Sequence, residues 1–182
     1  MTNVIPPTDV HHKYGLECRI FLQKLNTMFG NLKDDAIETV LRHQVIGHIG
    51  CHANDTTYVV PISYAYKDGF IYAHTEEGMK INMMRQNPKV CFEVYSMENM
   101  GNWQCVIGWG NFEEMKDEKE RAAALNILVK RDLPIISSKT VQLTTDWPYV
   151  PEDLNEIKGI VFRIKLTIKT GRYERTEEAN WW

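Results

Sequence analysis

The chain has 182 residues, 43% of them apolar and 25% charged, with a formal net charge of -3, which describes one soluble domain able to form its own core. The slight acidity gives no electrostatic footprint for nucleic acid or an anionic membrane, and neither a membrane-length apolar run nor a signal-peptide h-region is present. Four widely spaced cysteines with no C-x-x-C pair read as buried free thiols, so a reducing cytoplasm is the expected setting.

In chain order, residues 1–33 read as an N-terminal extension. Pro6-Pro7 and His11-His12 make an irregular start, and Leu16, Ile20, Leu25, Met28 and Phe29 are spaced as an amphipathic helix that Gly30-Asn31 ends. Asp34 and Asp35 open a short helix through Leu41, with acids complementing its dipole. From Val45 the period becomes two: Val45, Gly47, Ile49 and Cys51 occupy one face, and Ile46, His48, Gly50 and His52 the other. Asn54-Asp55 makes a turn into a second strand, Thr57 to Tyr66. Pro61 inside that strand cannot donate to a ladder, so the position is an edge, a bulge, or a place where a ligand replaces the neighbouring strand. Asp68-Gly69 is a hairpin signal leading to a third strand, Phe70 to Thr75.

The next stretch, His74-Thr75-Glu76-Glu77-Gly78-Met79-Lys80, joins that strand to a helix that ends at Asn87, ahead of Pro88. A hydroxyl, a glycine, a lysine and the free N–H groups of a helix start suit a phosphate. Val90–Tyr95 and Trp103–Phe112 are further strands, the second interrupted by Gly108 and Gly110, which mark bends or close backbone approach. Asp117 with Glu120 resembles a capping box for a helix carrying Ala122, Leu125, Leu128 and Val129. Residues 133–158 form a long irregular cover or functional loop. Ile160 to Ile168 alternates cleanly and Thr170-Gly171 closes it. Five or six antiparallel strands with two or three flanking helices make a small barrel over residues 34–170, leaving 171–182 as a tail.

Each chemical signal has a plainer reading beside it. Lys80 alone is a solvated helix residue; with Thr75 and Gly78 beside it, phosphate contact takes precedence. Gly78 reads as a backbone necessity. His74 suits hydrogen bonding, proton donation or metal ligation, and equally a satisfied polar residue at a strand end. His48 and His52 share a strand face about 13 Å apart, too far to chelate one ion, and no metal is expected. Trp103 and Trp109 share a strand face that packs in a core or against a subunit.

The segments Val45–Cys51, Tyr58–Tyr64, Tyr72–Thr75 with Gly78-Met79-Lys80, and Asn87–Phe92 resemble, in order and spacing, the core of the pyridoxamine 5'-phosphate oxidase-like FMN-binding split barrels. They are most similar to the branch that includes the nitroimidazole-resistance (Nim) proteins. The resemblance covers roughly residues 33–170 and implies a mainly β fold with flanking helices, a homodimer of six-stranded antiparallel split barrels, and FMN at the dimer interface. By position it puts Val60, Pro61, Ile62, Ser63 and Tyr64 along the flavin ring. It puts His74 and Thr75 beside the ribityl-phosphate, Gly78 and Met79 in the turn, and Lys80 on the phosphate. Trp103 or Gln104 would contribute from the next strands. Pyridoxamine phosphate oxidases carry Arg-Lys where this chain has Met79-Lys80, which takes vitamin B6 oxidation itself out of the expectation.

The expected function is that of an FMN-dependent oxidoreductase, in which the protein anchors and orients the cofactor. A nicotinamide nucleotide would be the reductant and a small oxidised molecule the acceptor. His74 is the candidate catalytic residue. The alternative is a non-catalytic flavin or haem binding protein on the same fold, with His74 or a terminal histidine as an iron ligand.

Overall fold

The computed structural model describes residues 26–131 and 151–177. Seven strands are present among them: β1 (Asn26–Asn31), β2 (Ile46–Ala53), β3 (Thr56–Lys67), β4 (Phe70–Thr75), β5 (Lys89–Asn99), β6 (Asn102–Glu114) and β7 (Ile160–Glu177). Three α-helices, α1 (Asp34–His43), α2 (Met79–Gln86) and α3 (Glu118–Val129), and one 3-10 turn (Leu154–Glu156) complete the described elements. All strand pairs are antiparallel, in the order β1-β7-β4-β3-β2-β5-β6, and β6 also pairs with β7. That last pairing closes β2 to β7 into a six-stranded ring, the expected split barrel. β1 lies outside the ring, along the distal half of β7.

The hairpin residues set the register. Asn54 and Asp55 have φ of 50° and 56°, Asp68 and Gly69 of 51° and 82°; two-residue loops with both φ values positive match the right-handed twist of the flanking strands. Alternation then turns Gly47, Ile49, Cys51 and Ala53 of β2 into the barrel and Ile46, His48, Gly50 and His52 outward. Tyr64, Phe92, Phe162, Ile49, Ile71 and Ile164 are among the side chains that fill the core. α1 closes one end with Ile37, Val40 and Leu41, and the Tyr64 hydroxyl donates to the Leu41 carbonyl at 3.0 Å. α2 adds Ile81, Met83 and Met84 to the same core. α3 covers a second cluster, placing Ala124, Leu125 and Leu128 over Ala65 and Val161; Asp117 caps it by accepting from the N–H groups of Lys119 and Glu120, each at 3.0 Å.

Two expectations are corrected. Residues 26–31 form a strand rather than the end of a helix, because their backbone pairs with Arg172–Glu177, and Phe29 meets the ring of Trp103 edge-on at 6.0 Å. Residues 1–25 lie outside the described residues, as do 132–150 of the expected cover loop. The last strand does not stop at Gly171 but runs on to Glu177. Gly171 is there for room: a Cβ would come within 2.7 Å of Leu32. The Trp103 and Trp109 side chains do share a face, since residues 103, 105, 107 and 109 alternate outward.

Closure of the ring rests on one close approach. Beside the register shift between β6 and β7, a Cβ on Gly110 would stand 2.2 Å from the Lys165 carbonyl oxygen and 2.9 Å from Ile164 Cγ2. At Gly50 the nearest atom would be 3.7 Å away. Overpacking costs about 1–3 kcal/mol, and a backbone obstacle belongs at the upper end. Gly110→Ala is therefore expected to lower the denaturation midpoint clearly while Gly50→Ala leaves it nearly unchanged; equal midpoints would refute the close contact as a constraint.

Candidate functional site

β3 is twelve residues long, but β4 pairs with it only from Tyr64 to Lys67. Beyond Ala73, β4 keeps its partner β7 through Thr75 and leaves β3. Residues 56–63 thus have β2 on one side and no strand on the other. Because the Tyr64 N–H donates to the Val45 carbonyl at 2.9 Å, alternation turns the backbone groups of Val60 and Ile62 toward β2 as well. Those of Val59, Pro61 and Ser63 face the open edge. Pro61 is therefore an edge residue whose missing N–H costs no ladder bond, and the β2–β3 register runs past it without a bulge.

The side chains of this stretch divide. Ile62 and Tyr64 are core residues; burial pushes the Tyr64 phenol above its ordinary value, and its ring packs edge-on against Phe92 at 4.9 Å. Val60 is half-buried and Pro61 exposed. Ser63 is only 3% exposed, and its hydroxyl has no hydrogen-bond partner among the described residues. A buried orphan of this kind costs about 1–3 kcal/mol unless something else satisfies it.

At the diverging end of β4, His74 and Thr75 are half-buried. The His74 Nε2 faces the Lys158 carbonyl at 2.5 Å, so this nitrogen donates and the ring holds the segment before β7 against β4. Gly159, at φ 94°, permits the contact: a Cβ there would lie 2.7 Å from Nε2. Burial first, then the nearby Arg121 and Arg131 charges, lower the His74 pKa; the Lys158 hydrogen bond and Glu76 act the other way. A neutral imidazole with its Nε2 proton committed is a structural tie, not a ready proton donor from that atom.

The turn after β4 leads into α2. Gly78 is its N-cap with extended backbone (φ 167°), no side chain caps the helix, and its first turn carries no acid. α1 and α3, in contrast, begin with Asp34 and Asp35, and with Glu118 and Glu120. The first N–H groups of α2 thus lack a side-chain acceptor. A Cβ on Gly78 would meet nothing within 4 Å, so this glycine is not the backbone necessity expected; it borders open space. Met79 is exposed. Lys80 is half-buried, with its pKa lowered by burial and raised by the Cys51 sulfur, and it forms no ion pair among the described residues. Ser63, the open edge of β3 and a cation at an uncapped helix start are a donor set for a planar, hydrogen-bonding ligand with a phosphate, and the residues present fit a flavin mononucleotide.

Trp103 and Gln104 lie elsewhere. They pair with Met97 and Ser96 on β5 and with Glu174 and Tyr173 on β7, in the arm that β1 extends, and the Trp103 indole donates to Glu174 at 2.9 Å. Within one chain they are not part of the notch.

The outer face of β3, β2, β5 and β6 holds a groove of about 580 Å³ that the sequence reading did not single out, lined by His48, Gly50, Val59, Cys91, Glu93 and Trp109 among others. In it Glu93 accepts from His48 Nδ1 at 2.9 Å and from the Cys105 thiol at 3.5 Å. Burial, then Glu93, push that thiol up to about 11. No motif announces these residues, because they meet only through strand pairing. His52, on the same strand face as His48, is hydrogen-bonded to the Thr57 hydroxyl at 3.0 Å.

Comparison with known proteins adds the following. Residues 33–173 match the pattern of the pyridoxamine 5'-phosphate oxidase family. An uncharacterised protein of Rhizobium meliloti is 30% identical over 90 residues, which are 47% of this chain and 60% of that protein; the chain thus spans less than two thirds of that relative. A FAD-binding protein of Mesorhizobium loti has a similar structure, with TM-score 0.62 and 29% identity over 80% of this chain and 98% of its own. A candidate 5-nitroimidazole antibiotic resistance protein of Bacteroides thetaiotaomicron shares the fold at TM-score 0.61 and 18% identity, covering 84% of this chain and 93% of its own.

The His74 tie has a pH signature. Its pKa lies below the ordinary 6.5 in the fold, so the unfolded chain binds the extra proton first and stability falls as pH drops below 6.5. Glu38, Glu113 and Glu114, also lowered, begin to act only below 4.5. Thermal melting between pH 6.5 and 4.5 should decline in the wild type and flatten in His74→Gln; parallel slopes would show that the imidazole is not buried as described.

Proposed function

Because the chain belongs to the pyridoxamine 5'-phosphate oxidase family, its match covering residues 33–173, we propose that it binds FMN in the notch between β3 and β4. The observation that carries this reading is Lys80, a half-buried cation with no carboxylate partner among the described residues, at a helix start that no side chain caps. The phosphate takes the N–H groups of α2 and Lys80. The open-edge groups of Val59, Pro61 and Ser63, with the orphaned Ser63 hydroxyl, take the polar rim of the ring. Thr75 and Gly78 border the ribityl chain. When bound, the flavin supplies electron-transfer chemistry; the protein's part is to hold, orient and shield it.

The protein functions as a homodimer in this reading. Among the described residues, seven of the ten large apolar side chains that stand exposed (Phe29, Ile46, Val59, Tyr95, Met97, Trp109 and Ile168) project from the outer face of β1, β2, β3, β5, β6 and β7, given the strand registers. An apolar face of this extent favours a partner, and a second copy would bring its Trp103 and Gln104 to the site. The activity is that of an oxidoreductase taking electrons from a nicotinamide nucleotide and passing them to a small oxidised acceptor in the cytoplasm. The free thiols Cys51, Cys91 and Cys105 suit that compartment.

The test is direct. The purified protein is expected to release FMN on heat denaturation, and Lys80→Ala to weaken FMN binding by roughly 30- to 100-fold with an unchanged melting curve, as loss of a charge-assisted contact requires. Oxidation of NADH or NADPH by the loaded protein separates an enzyme from a flavin carrier. Wild-type affinity in the alanine variant would remove the phosphate role of Lys80.

A further inference from the structure

The turn that enters α2 contains a carboxylate in an awkward place. Glu77 lies one residue ahead of the N-cap Gly78 and three ahead of Lys80. An anion there competes with a phosphate for the helix N-terminus and for the lysine. The structure shows it engaged elsewhere. Arg85, in the last turn of α2, holds the Glu77 carboxylate through Nη1. The other edge of the same guanidinium grips Glu114 at the end of β6, Nε to Oε2 at 2.7 Å and Nη2 to Oε1 at 2.9 Å. Such a planar fork fixes both distance and direction. The Glu114 side chain is 17% exposed and that of Glu77 57%, so Arg85 is anchored on the barrel and reaches out to the turn. To meet it, Glu77 must lie back along the helix by about two turns, not across its open end.

We propose that Arg85 is a positioning residue for the anion site: it withdraws Glu77 from the mouth of α2 and thereby makes the entry turn receptive to a phosphate. The inference rests on the FMN reading above and adds a residue that never touches the ligand. Around the turn stand Glu76, Glu77, Lys80, Arg85 and Glu114. Removing Arg85 leaves the Glu77 carboxylate free to turn toward the helix start, three residues from Lys80. The effect is therefore specific to a ligand that carries a phosphate.

FMN and riboflavin are the probes, titrated by flavin fluorescence against the full chain in wild-type, R85M, E77Q, R85M/E77Q and R85K forms, with thermal melting as the folding control. R85M is expected to weaken FMN binding about tenfold, the scale of one added unit charge near the site, while leaving riboflavin binding unchanged. E77Q added to R85M is expected to restore FMN affinity to within about twofold of wild type, and R85K to retain most of it. Equal loss of both flavins in R85M, failure of E77Q to rescue, or an R85M variant with wild-type FMN affinity would each overturn the proposal. Should R85M not fold, R85A, which removes every donor toward Glu77, is judged by the same outcomes. A wild-type protein that binds no FMN sinks the functional reading itself; normal wild-type binding with any of the contrary outcomes sinks only the role of Arg85.

Discussion

The molecule turns on an unequal strand pairing. β3 is held along its whole length by β2, but β4 accompanies it for four residues and then follows β7 instead. Backbone groups are obligatory hydrogen-bonding partners, so an unpaired edge beside a half-covered barrel end must be met by water or by a ligand. Everything at the notch follows from this divergence. It leaves the Val59, Pro61 and Ser63 backbone without a strand partner on one side, makes a proline tolerable in mid-strand, and lies just ahead of the turn that enters α2. On the far side the ring closes where Gly110 lets β6 press against Lys165.

Around that gap the electrostatics are arranged with little waste. The helix that starts there is the one α-helix among those described with neither a capping side chain nor an acid in its first turn. Its lysine is half-buried without a carboxylate counterpart among the described residues, and the nearest glutamate in sequence is occupied by Arg85. His74, which looks like a reactive group by residue type, spends its Nε2 proton on a backbone carbonyl. Its contribution is to fasten the segment preceding β7 over the end of β4. A flavin carries its own chemistry and asks the protein mainly for a fixed frame, and the His74 tie is of that kind.

Much of the fold was legible because local rules and tertiary structure agree in it. Asn54-Asp55 and Asp68-Gly69 take the positive φ values that tight hairpins require, the period-two pattern of β2 sorts its residues as read, and Asp117 caps α3. The failures share a cause. Residues 26–31 are a strand only because β7 extends beyond Gly171 to receive them, and Gly171 is small only because Leu32 needs the space; each fact concerns distant parts of the chain, which periodicity cannot report. Of the site, the entry turn was visible as a local motif. The edge of β3 was visible only as an unexplained proline, whose meaning waited on the pairing of β4. Tyr64 was assigned to the flavin ring by resemblance; its side chain lies in the core and its N–H donates to the Val45 carbonyl. Arg85 carried no signal at all, since a helical arginine shows nothing of the two acids it will join.

The three cysteines in described segments invite a last consideration. Burial raises the pKa of Cys51, Cys91 and Cys105 alike, and Glu93 adds to the effect at the latter two. Oxidants and electrophiles attack thiolates far faster than thiols. A carboxylate that keeps a proton on sulfur therefore acts as a preservative, lowering the thiolate fraction open to such attack at Cys91 and Cys105.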